Sequence, residues 1–254
     1  MKPCRQYILP AFCFSIILLL WEVCVHAFEI SLYILPAPSD IARALISEFD
    51  ILWSHSIVTL KEAILGLLIA AALAVVIAIL MDLSRTFRYS IFPYLVVSQT
   101  VPVMILGPLF TIWLGFGLAP KILMVVFMCF FPVVISFSDA LEQVDKKQLD
   151  LLRSFGAGTV QQYLYVKIPS AATALFSGLK VAATYCIGGA IVGEWLSASA
   201  GLGYYMIRVK NGFQIDKVFA CVIMIIIWSL LLNLAVTLME RVLFPYTKKR
   251  KGAK

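Results

Sequence analysis

The segment Arg153–Pro169 reads R-S-F-G-A-G-T-V-Q-Q-Y-L-Y-V-K-I-P and interrupts a chain that is otherwise strongly apolar. It holds two glycines, a run of polar side chains and a closing proline. This composition is typical of a turn in contact with water rather than of a segment buried in lipid. The apolar segments on either side of it therefore determine the topology of the chain.

The composition indicates an integral membrane protein. Of the 254 residues, 62% are hydrophobic and 14% are charged, and the mean hydropathy is +0.96. A soluble globular domain carries about 45–50% apolar and roughly 25% charged residues, so one soluble core could not bury this excess. The six cysteines form no C-x-x-C pair, and neither a disulfide framework nor a metal site is predicted.

Six apolar segments are long enough to cross a bilayer, which takes about 20 helical residues. The sequence therefore predicts an all-α, polytopic fold with spans at Tyr7–Phe28, Ile57–Met81, Ser90–Leu114, Ala119–Phe137, Ala171–Trp195 and Val218–Leu243. The third span carries Pro93, Pro102 and Pro108, so we expect a kink or a break there. The apolar run of the first span is longer than that of a signal peptide, and we interpret it as a retained span.

The distribution of basic residues predicts the orientation. With a cytoplasmic N-terminus, fourteen of the 21 lysines and arginines lie in inside segments, five lie in outside segments, and Lys61 and Lys180 lie within spans. We therefore expect a multi-pass protein of the cell membrane with both termini in the cytoplasm. The basic C-terminal residues favour contact with anionic membrane lipid rather than with nucleic acid. The chain divides into a first span with its outer loop, a core and a basic tail, at residues 1–53, 54–245 and 246–254.

The longest cytoplasmic segment in this topology comprises residues 138–170. Apolar residues recur in it at spacings of three and four, which predicts two short amphipathic helices. The stretch Gly156–Gly158 separates them, because glycine permits a sharp reversal of the backbone. Thr159 followed by Gln162 matches a capping box that would begin the second helix. Pro169 would then open the fifth span, since proline is tolerated in the first turn of a helix.

This loop resembles the one that identifies binding-protein-dependent ABC importer permeases. Their motif is E-A-A-x3-G-x9-I-x-L-P, placed two spans before the C-terminus. The full spacing is kept here by Asp150, Leu151, Leu152, Gly156, Val166, Ile168 and Pro169. The sequence departs from the motif in having Asp for Glu and Leu-Leu for Ala-Ala, and the bulkier leucines alter the surface that would dock.

The resemblance extends from about Ser54 to Leu243. Five further stretches are similar to the branch that includes the sulfonate, taurine and nitrate permeases: Ser98–Pro102, Trp113–Gly117, Phe131-Pro132, Gly193–Trp195 and Gly201–Gly203. Within that branch, Ser98–Pro102 and Gly178–Tyr185 are most similar to permeases assigned to thiamine-precursor pyrimidines, and related members are assigned to riboflavin.

The resemblance implies a type I ABC importer permease fold with a cytoplasmic coupling helix. It also implies a permease homodimer, two cytosolic ATPase subunits and an extracytoplasmic solute-binding protein. The chain itself would be no enzyme and would hold no cofactor, since ATP and Mg²⁺ would bind the ATPase. In agreement, the sequence contains no G-x-x-x-x-G-K-[ST] phosphate loop. The expected substrate is a pyrimidine such as hydroxymethylpyrimidine or formylaminopyrimidine, with riboflavin, aliphatic sulfonate, taurine or nitrate as alternatives.

The resemblance assigns force transmission to the loop at 138–170. Phe155 and Tyr163 would insert into a groove on the ATPase. The charges of Asp150, Arg153 and Lys167 would set the register. The full candidate set for coupling is Asp150, Arg153, Phe155, Gly156, Ala157, Gly158, Tyr163, Lys167 and Pro169. The alternative is a solvated connector, in which case the spacing from Gly156 to Pro169 would be coincidental.

Polar residues within the predicted spans are candidates for the translocation path, because each is costly in lipid. Gln99 and Thr100, beside Pro102, would line the path or would satisfy backbone groups that the proline frees. Lys180 would face the path or pair with a carboxylate.

The outer end of the fifth span holds further candidates for the path. Glu194 would face the outer vestibule or would lie at the membrane interface. Tyr185 and Trp195 would suit a flat aromatic substrate.

Other charged residues near the outer surface have less specific interpretations. Lys61 and Glu62 are expected to reach the interface by snorkelling. Arg208, Lys210 and Lys217 would meet acidic residues of a binding protein, or would be ordinary loop charges.

Two other classes of membrane protein would require residues of their own. A membrane-embedded enzyme would need a catalytic set, and the sequence has no H-E-x-x-H or G-x-S-x-G motif, so no catalytic residue is assigned. An ion-coupled secondary transporter or a channel would need ionisable residues near the middle of the membrane, where Lys180 is the candidate.

Overall fold

The computed structural model describes residues 3–245. Helices form 85% of these residues, and no strand occurs among them. The helices are α1 Pro3–Ala27, α2 Pro38–Ser47, α3 Phe49–Leu83, α4 Arg85–Ser98, α5 Val103–Leu114, α6 Leu118–Glu142, α7 Lys146–Ser154, α8 Thr159–Gln162, α9 Ile168–Ser197, α10 Leu202–Asn211 and α11 Ile215–Leu243. A π-helical turn, Tyr163–Lys167, connects α8 to α9. The predicted all-α fold is confirmed, and the basic tail predicted at 246–254 lies outside the described residues.

The predicted spans correspond to helices. Within residues 3–245, the segments long and apolar enough to cross a membrane are Ile8–Ala27, Phe49–Leu83, Leu118–Glu142, Thr159–Leu196 and Ile215–Leu243. The bent pair α4–α5 makes a sixth if it forms one span. The domain boundary expected at residue 53 falls inside α3.

The break expected in the third span lies between α4 and α5. The two helices meet at an angle of 105°. Pro102 caps α5 with an extended backbone, because it cannot continue the hydrogen-bond ladder of α4. The Thr100 hydroxyl donates to the carbonyl of Val97 at 2.7 Å, and the Gln99 amide donates to that of Leu95 at 3.5 Å. Both side chains thus bond to carbonyls in the last two turns of α4, and the Val97 carbonyl also accepts from the Thr100 backbone N–H at 3.0 Å.

The chain forms two compact units. The first comprises the residues up to Val58 together with Ala200–Ile226. In it, Glu48 accepts hydrogen bonds from Lys217 and from the Tyr205 hydroxyl, the latter at 3.1 Å. His55 stacks on the Tyr205 ring at 5.2 Å. Polar contacts therefore join the start of α3 to α10 and α11.

The second unit comprises Thr59–Ser199 together with the chain from Ile227 onward. Its core lies between α6 and α9, which pack along much of their length. Gly178 and Gly193 make this close approach possible: a Cβ atom there would lie 2.7 Å from the Pro132 carbonyl oxygen and 2.9 Å from the Lys121 Cα, respectively. Small residues are used in the same way where membrane helices pack backbone to backbone.

Candidate functional site

Helix α7 is an exposed helix between α6 and the glycine turn. The Asp145 carboxylate begins it by accepting from the Lys147 backbone N–H at 2.9 Å. No residue of α7 is buried. Leu151 is 60% exposed, and Phe155, which follows the helix, is 79% exposed. The first predicted amphipathic helix is therefore confirmed, and it presents apolar side chains that nothing in the described chain covers.

The turn after α7 requires one of its two glycines. Gly156 has φ +79°, a left-handed conformation that side chains disfavour. Its N–H donates to the Arg153 carbonyl at 2.9 Å, which ends α7. Gly158 has φ −72° and caps α8, where the Gln161 side chain accepts from its N–H at 2.9 Å. The predicted capping box was therefore wrong by one residue, because Thr159 is the first residue of the helix and not its cap.

The second predicted amphipathic helix is not a separate element. From Thr159 to Ser197 the backbone stays helical through α8, the π turn and α9. Pro169 lies just after the π turn, where the missing N–H and the ring of a proline disturb the regular ladder and a wider turn relieves the crowding. The fifth span therefore does not begin at Pro169. It starts at Thr159, directly after the glycine turn, and continues into α9 without a break.

Asp82, at the end of α3, anchors this helix. The Tyr163 hydroxyl and the Lys167 ammonium group both donate to the same Asp82 oxygen. The Lys167 nitrogen also lies 4.8 Å from the centre of the Tyr163 ring. Since Tyr163 is 9% exposed, the expectation that its ring inserts into a partner is corrected: its hydroxyl is held inside the chain.

Of the remaining coupling candidates, Arg153 and Asp150 pair with each other at 3.1 Å on the surface of α7.

Arg88, which the sequence analysis did not identify, joins α4 to α6. It contacts Glu142 at 2.7 Å, Asp139 at 3.4 Å and the Ser138 hydroxyl at 3.1 Å. Asp82 and Arg88 each lie within two residues of the end of a predicted span. A charged residue at such a position is the sequence signal that could have identified both.

Two translocation candidates, Gln99 and Tyr185, share one cavity. It has a volume of about 200 Å³ and is lined by Gln99, Val101, Val103, Phe127, Met128, Phe131, Pro132 and Tyr185. Phe127 and Phe131 meet edge to face with their ring centres 5.1 Å apart. The cavity therefore offers aromatic and thioether surface with two polar groups. Thr100, Pro102, Lys180, Glu194 and Trp195 do not line it.

Lys180 pairs with a carboxylate, one of its two expected roles. Its ammonium group donates to Glu240 on α11, whose side chain is 8% exposed. Asn233 supports the pair by donating to the Lys180 carbonyl at 3.0 Å. The ion pair thus joins α9 to α11 within the second unit.

Glu62 and Glu194 are both 1% exposed, contrary to the interfacial and vestibular positions expected for them. Glu62 accepts from Lys121 at 2.8 Å, and Glu194 accepts from the Thr59 hydroxyl at 2.6 Å. Lys121 is likewise buried, in the first turns of α6. Burial of these charges is tolerated because each has a hydrogen-bonding partner. Trp195 and Lys61, by contrast, are exposed.

A second polar cavity, of about 460 Å³, lies in the first unit. It is lined by Glu48, Ile51, Tyr205, Arg208, Val209, Gly212, Gln214 and Lys217. The hydrogen bond from Lys217 lowers the pKa of Glu48, against the opposing effect of partial burial. Burial raises the pKa of Tyr205, and the neighbouring Glu48 carboxylate adds to that effect. Lys217 is therefore engaged within the chain, and both Lys217 and Arg208 line the cavity.

Relatives of this chain are transport permeases. It is 34% identical over 227 residues to a probable ABC transporter permease protein of Haemophilus influenzae, covering 89% of this chain and 93% of that one. It is 30% identical over 251 residues to the formylaminopyrimidine transport permease protein ThiX of Halalkalibacterium halodurans, covering 98% of this chain and all of the relative.

A solved structure has the same fold. An amino acid ABC transporter with histidines superposes with a TM-score of 0.63 at 19% identity, over 77% of this chain and 95% of that one. The family model for the binding-protein-dependent transport system inner membrane component matches residues 66–249. The chain is therefore a multi-span membrane protein that belongs to the family of binding-protein-dependent transport system inner membrane components.

Proposed function

We propose that this chain is the permease subunit of an ATP-driven importer and that α7 docks on a separate cytosolic ATPase subunit. The observation that carries the proposal is the exposure of α7, with Leu151 and Phe155 uncovered beside a left-handed glycine turn. A helix that presents apolar side chains to a groove is a recurrent mode of recognition. ATP and Mg²⁺ belong to the ATPase, both termini of the chain lie in the cytoplasm, two copies of the chain form the pore, and an extracytoplasmic binding protein delivers the substrate.

The contacts around α7 supply a path for force. Docking moves α7, which is connected through the Gly156 turn to the helical segment that starts at Thr159. Since that segment continues into α9, movement at its cytoplasmic end reaches the membrane without a flexible joint. Asp82 ties the same segment to α3. Closure of the ATPases would therefore move α3 and α9 together. This movement would switch access to the pore between the two sides of the membrane.

The substrate that this proposal favours is a small, flat heteroaromatic molecule such as a thiamine-precursor pyrimidine. The cavity between Gln99 and Tyr185 has aromatic surface on which a ring can stack, and an amide and a hydroxyl that can bond ring nitrogens and amino groups. No cation lines it, which disfavours sulfonate, taurine and nitrate. Its volume of about 200 Å³ suits one ring better than the three fused rings of riboflavin.

Docking is tested by co-purification with the cognate ATPase. Phe155→Asp places a charge on the proposed docking surface and is expected to abolish co-purification. Ile46→Asp is the matched control, because Ile46 on α2 is 78% exposed and has no role in docking. Equal recovery of the ATPase with both variants would contradict the proposal. So would uptake that proceeds without any ATPase and follows a proton gradient, the behaviour of a secondary transporter.

Substrate class is tested by uptake into proteoliposomes that contain the complete transporter and the binding protein. Labelled hydroxymethylpyrimidine should accumulate, and Gln99→Leu should lower uptake by roughly tenfold because one buried hydrogen bond to the substrate is lost. Thr100→Val is the control, since Thr100 does not line the cavity. Uptake of sulfonate or riboflavin, with no uptake of the pyrimidine, would show that the proposed substrate is wrong.

A further inference from the structure

A third cavity lies beside α7 and is rich in charge. Its volume is about 470 Å³, and its walls are the last turn of α3, the start of α4, the end of α6 and α7. The cations that line it are Arg85, Arg88, Lys146, Arg153 and Lys167, and the carboxylates are Asp82, Glu142 and Asp150. Five cations less three carboxylates leave a net charge of +2. The cavity therefore favours an anion.

The positive charge is not spread evenly over these five cations. Arg88 pairs with Glu142 at 2.7 Å, and Lys167 pairs with Asp82. Arg85 and Lys146, in contrast, form no ion pair with any residue between 3 and 245. These two residues carry the excess.

Arg85 and Lys146 also occupy unusual positions in their helices. Each is the first residue of its helix, α4 and α7 respectively, and neither helix has an acidic residue in its first turn. The N-terminal end of a helix has a positive dipole that stabilises anions and destabilises cations. The Ser84 hydroxyl and the Asp145 carboxylate cap these two helix ends, so the positive potential that a bound anion would relieve comes from the side chains of Arg85 and Lys146.

The cavity begins where the apolar run of α3 ends, which is where lipid headgroups are expected. The 35 residues of α3 extend about 52 Å at 1.5 Å per residue, which exceeds the roughly 30 Å of the hydrocarbon region. The cavity begins at the last turn of α3, with Met81 and Asp82. Leu83 and Tyr89 are exposed beside it, and an exposed tyrosine next to basic residues is typical of the membrane interface.

We propose that this cavity binds the phosphate of an acidic phospholipid headgroup, with Arg85 and Lys146 as its ligands. A headgroup with one or two negative charges matches the net charge of the cavity. Since one ligand begins α4 and the other begins α7, a bound headgroup would hold the proposed docking helix against the membrane. The proposed function enters only in the role of α7, so lipid binding can be measured on the permease alone.

The test measures lipid retained by the purified chain after transfer to nanodiscs. The nanodiscs contain phosphatidylcholine alone or with phosphatidylglycerol, and retained lipid is counted by native mass spectrometry. The double variant Arg85→Gln, Lys146→Gln should bind phosphatidylglycerol roughly 30-fold more weakly, because two basic residues near an anionic surface contribute about 1 kcal/mol each and about 1.4 kcal/mol corresponds to a factor of ten. The charge-matched control is Arg43→Gln, Lys147→Gln, whose residues do not line the cavity. The single variant Lys146→Gln keeps the test available if the double variant does not fold.

Three results would overturn the proposal. Equal retention of phosphatidylglycerol by the double variant and its control would show that the cavity is not the lipid site. Displacement of the lipid by millimolar inorganic phosphate would assign the cavity to a free anion. If the double variant lost ATPase co-purification in phosphatidylcholine alone, the cavity would instead receive an acidic side chain of the ATPase. A failure of the Phe155→Asp experiment, by comparison, would leave lipid retention unaffected.

Discussion

At the scale of single residues, Asp82 ties the end of α3 to the π turn before α9. It accepts from both Tyr163 and Lys167, and its side chain is 8% exposed. Removing its charge leaves the Lys167 ammonium group partly buried without a counter-ion. Hydrogen bonds to charged groups contribute more than neutral ones because the charge strengthens them.

We therefore predict that Asp82→Asn lowers the free energy of unfolding by about 2 kcal/mol. Thermal unfolding of the purified chain measures the loss. Asp150→Asn is the control, because the Asp150–Arg153 pair is well exposed and such pairs contribute little. Equal unfolding temperatures for the two variants would show that Asp82 is no anchor.

Glu48 predicts a pH dependence in the first unit. Because Lys217 holds the pKa of Glu48 below its ordinary value of 4.5, the ionised form is favoured in the folded chain. The resulting stabilisation is complete above pH 4.5 and is lost as the pH falls through the lowered, folded-state pKa.

Thermal unfolding between pH 3 and pH 7 should therefore separate the parent chain from Glu48→Gln. At neutral pH the variant should unfold at a lower temperature, since it lacks the charge that pairs with Lys217. The difference should shrink as the pH falls below about 4.5, because Glu48 of the parent is protonated first in the unfolded chain and then, at lower pH, in the folded chain. A difference that stays constant across this range would exclude the titration of Glu48 as its cause.

At the scale of elements, the turn between α7 and α8 depends on backbone conformation alone. A Cβ atom at Gly156 or at Gly158 would meet nothing within 4 Å, so crowding plays no part at either position. The two glycines differ in φ, which is +79° at Gly156 and −72° at Gly158.

Gly156→Val should therefore cost about 2 kcal/mol in the turn and should weaken ATPase co-purification severalfold. Gly158→Ser should leave docking unchanged, because serine adopts this φ readily and is a good N-cap. Co-purification of both variants in parallel checks the prediction. A loss with Gly158→Ser as large as that with Gly156→Val would refute the role of the left-handed turn.

The break between α4 and α5 illustrates what local sequence can predict. Three prolines in one apolar segment predicted a kink, and the structure has a bend of 105° at Pro102. The missing proline N–H is a local property, so a local signal is sufficient. The continuity of α8 with α9 was missed for the converse reason: Pro169 indicates a helix start, yet a π turn before it carries the helix through.

At the scale of the whole molecule, the orientation in the membrane remains a prediction from the distribution of basic residues. Single cysteines at exposed positions test it by reaction with a membrane-impermeant maleimide. Lys147→Cys on α7 should react in inverted vesicles, and Phe213→Cys, in the loop before α11, should react in spheroplasts. The parent chain is the control for its native cysteines. Reaction in the opposite preparations would reverse the orientation and remove α7 from the cytoplasm.

The sequence by itself determined that the chain is helical, that it crosses a membrane several times and that an exposed loop with a glycine turn precedes the fifth span. These features depend on hydrophobicity, glycine and proline over short stretches of chain. Only the tertiary structure decided which carboxylates Lys121, Lys167 and Lys180 meet, that Tyr163 faces inward and that Gln99 and Tyr185 share a cavity. The physical reason is separation along the chain: Lys121 and Glu62 are 59 residues apart, and Lys167 and Asp82 are 85 apart. No local pattern specifies such a pair, because helix packing alone brings its two members together.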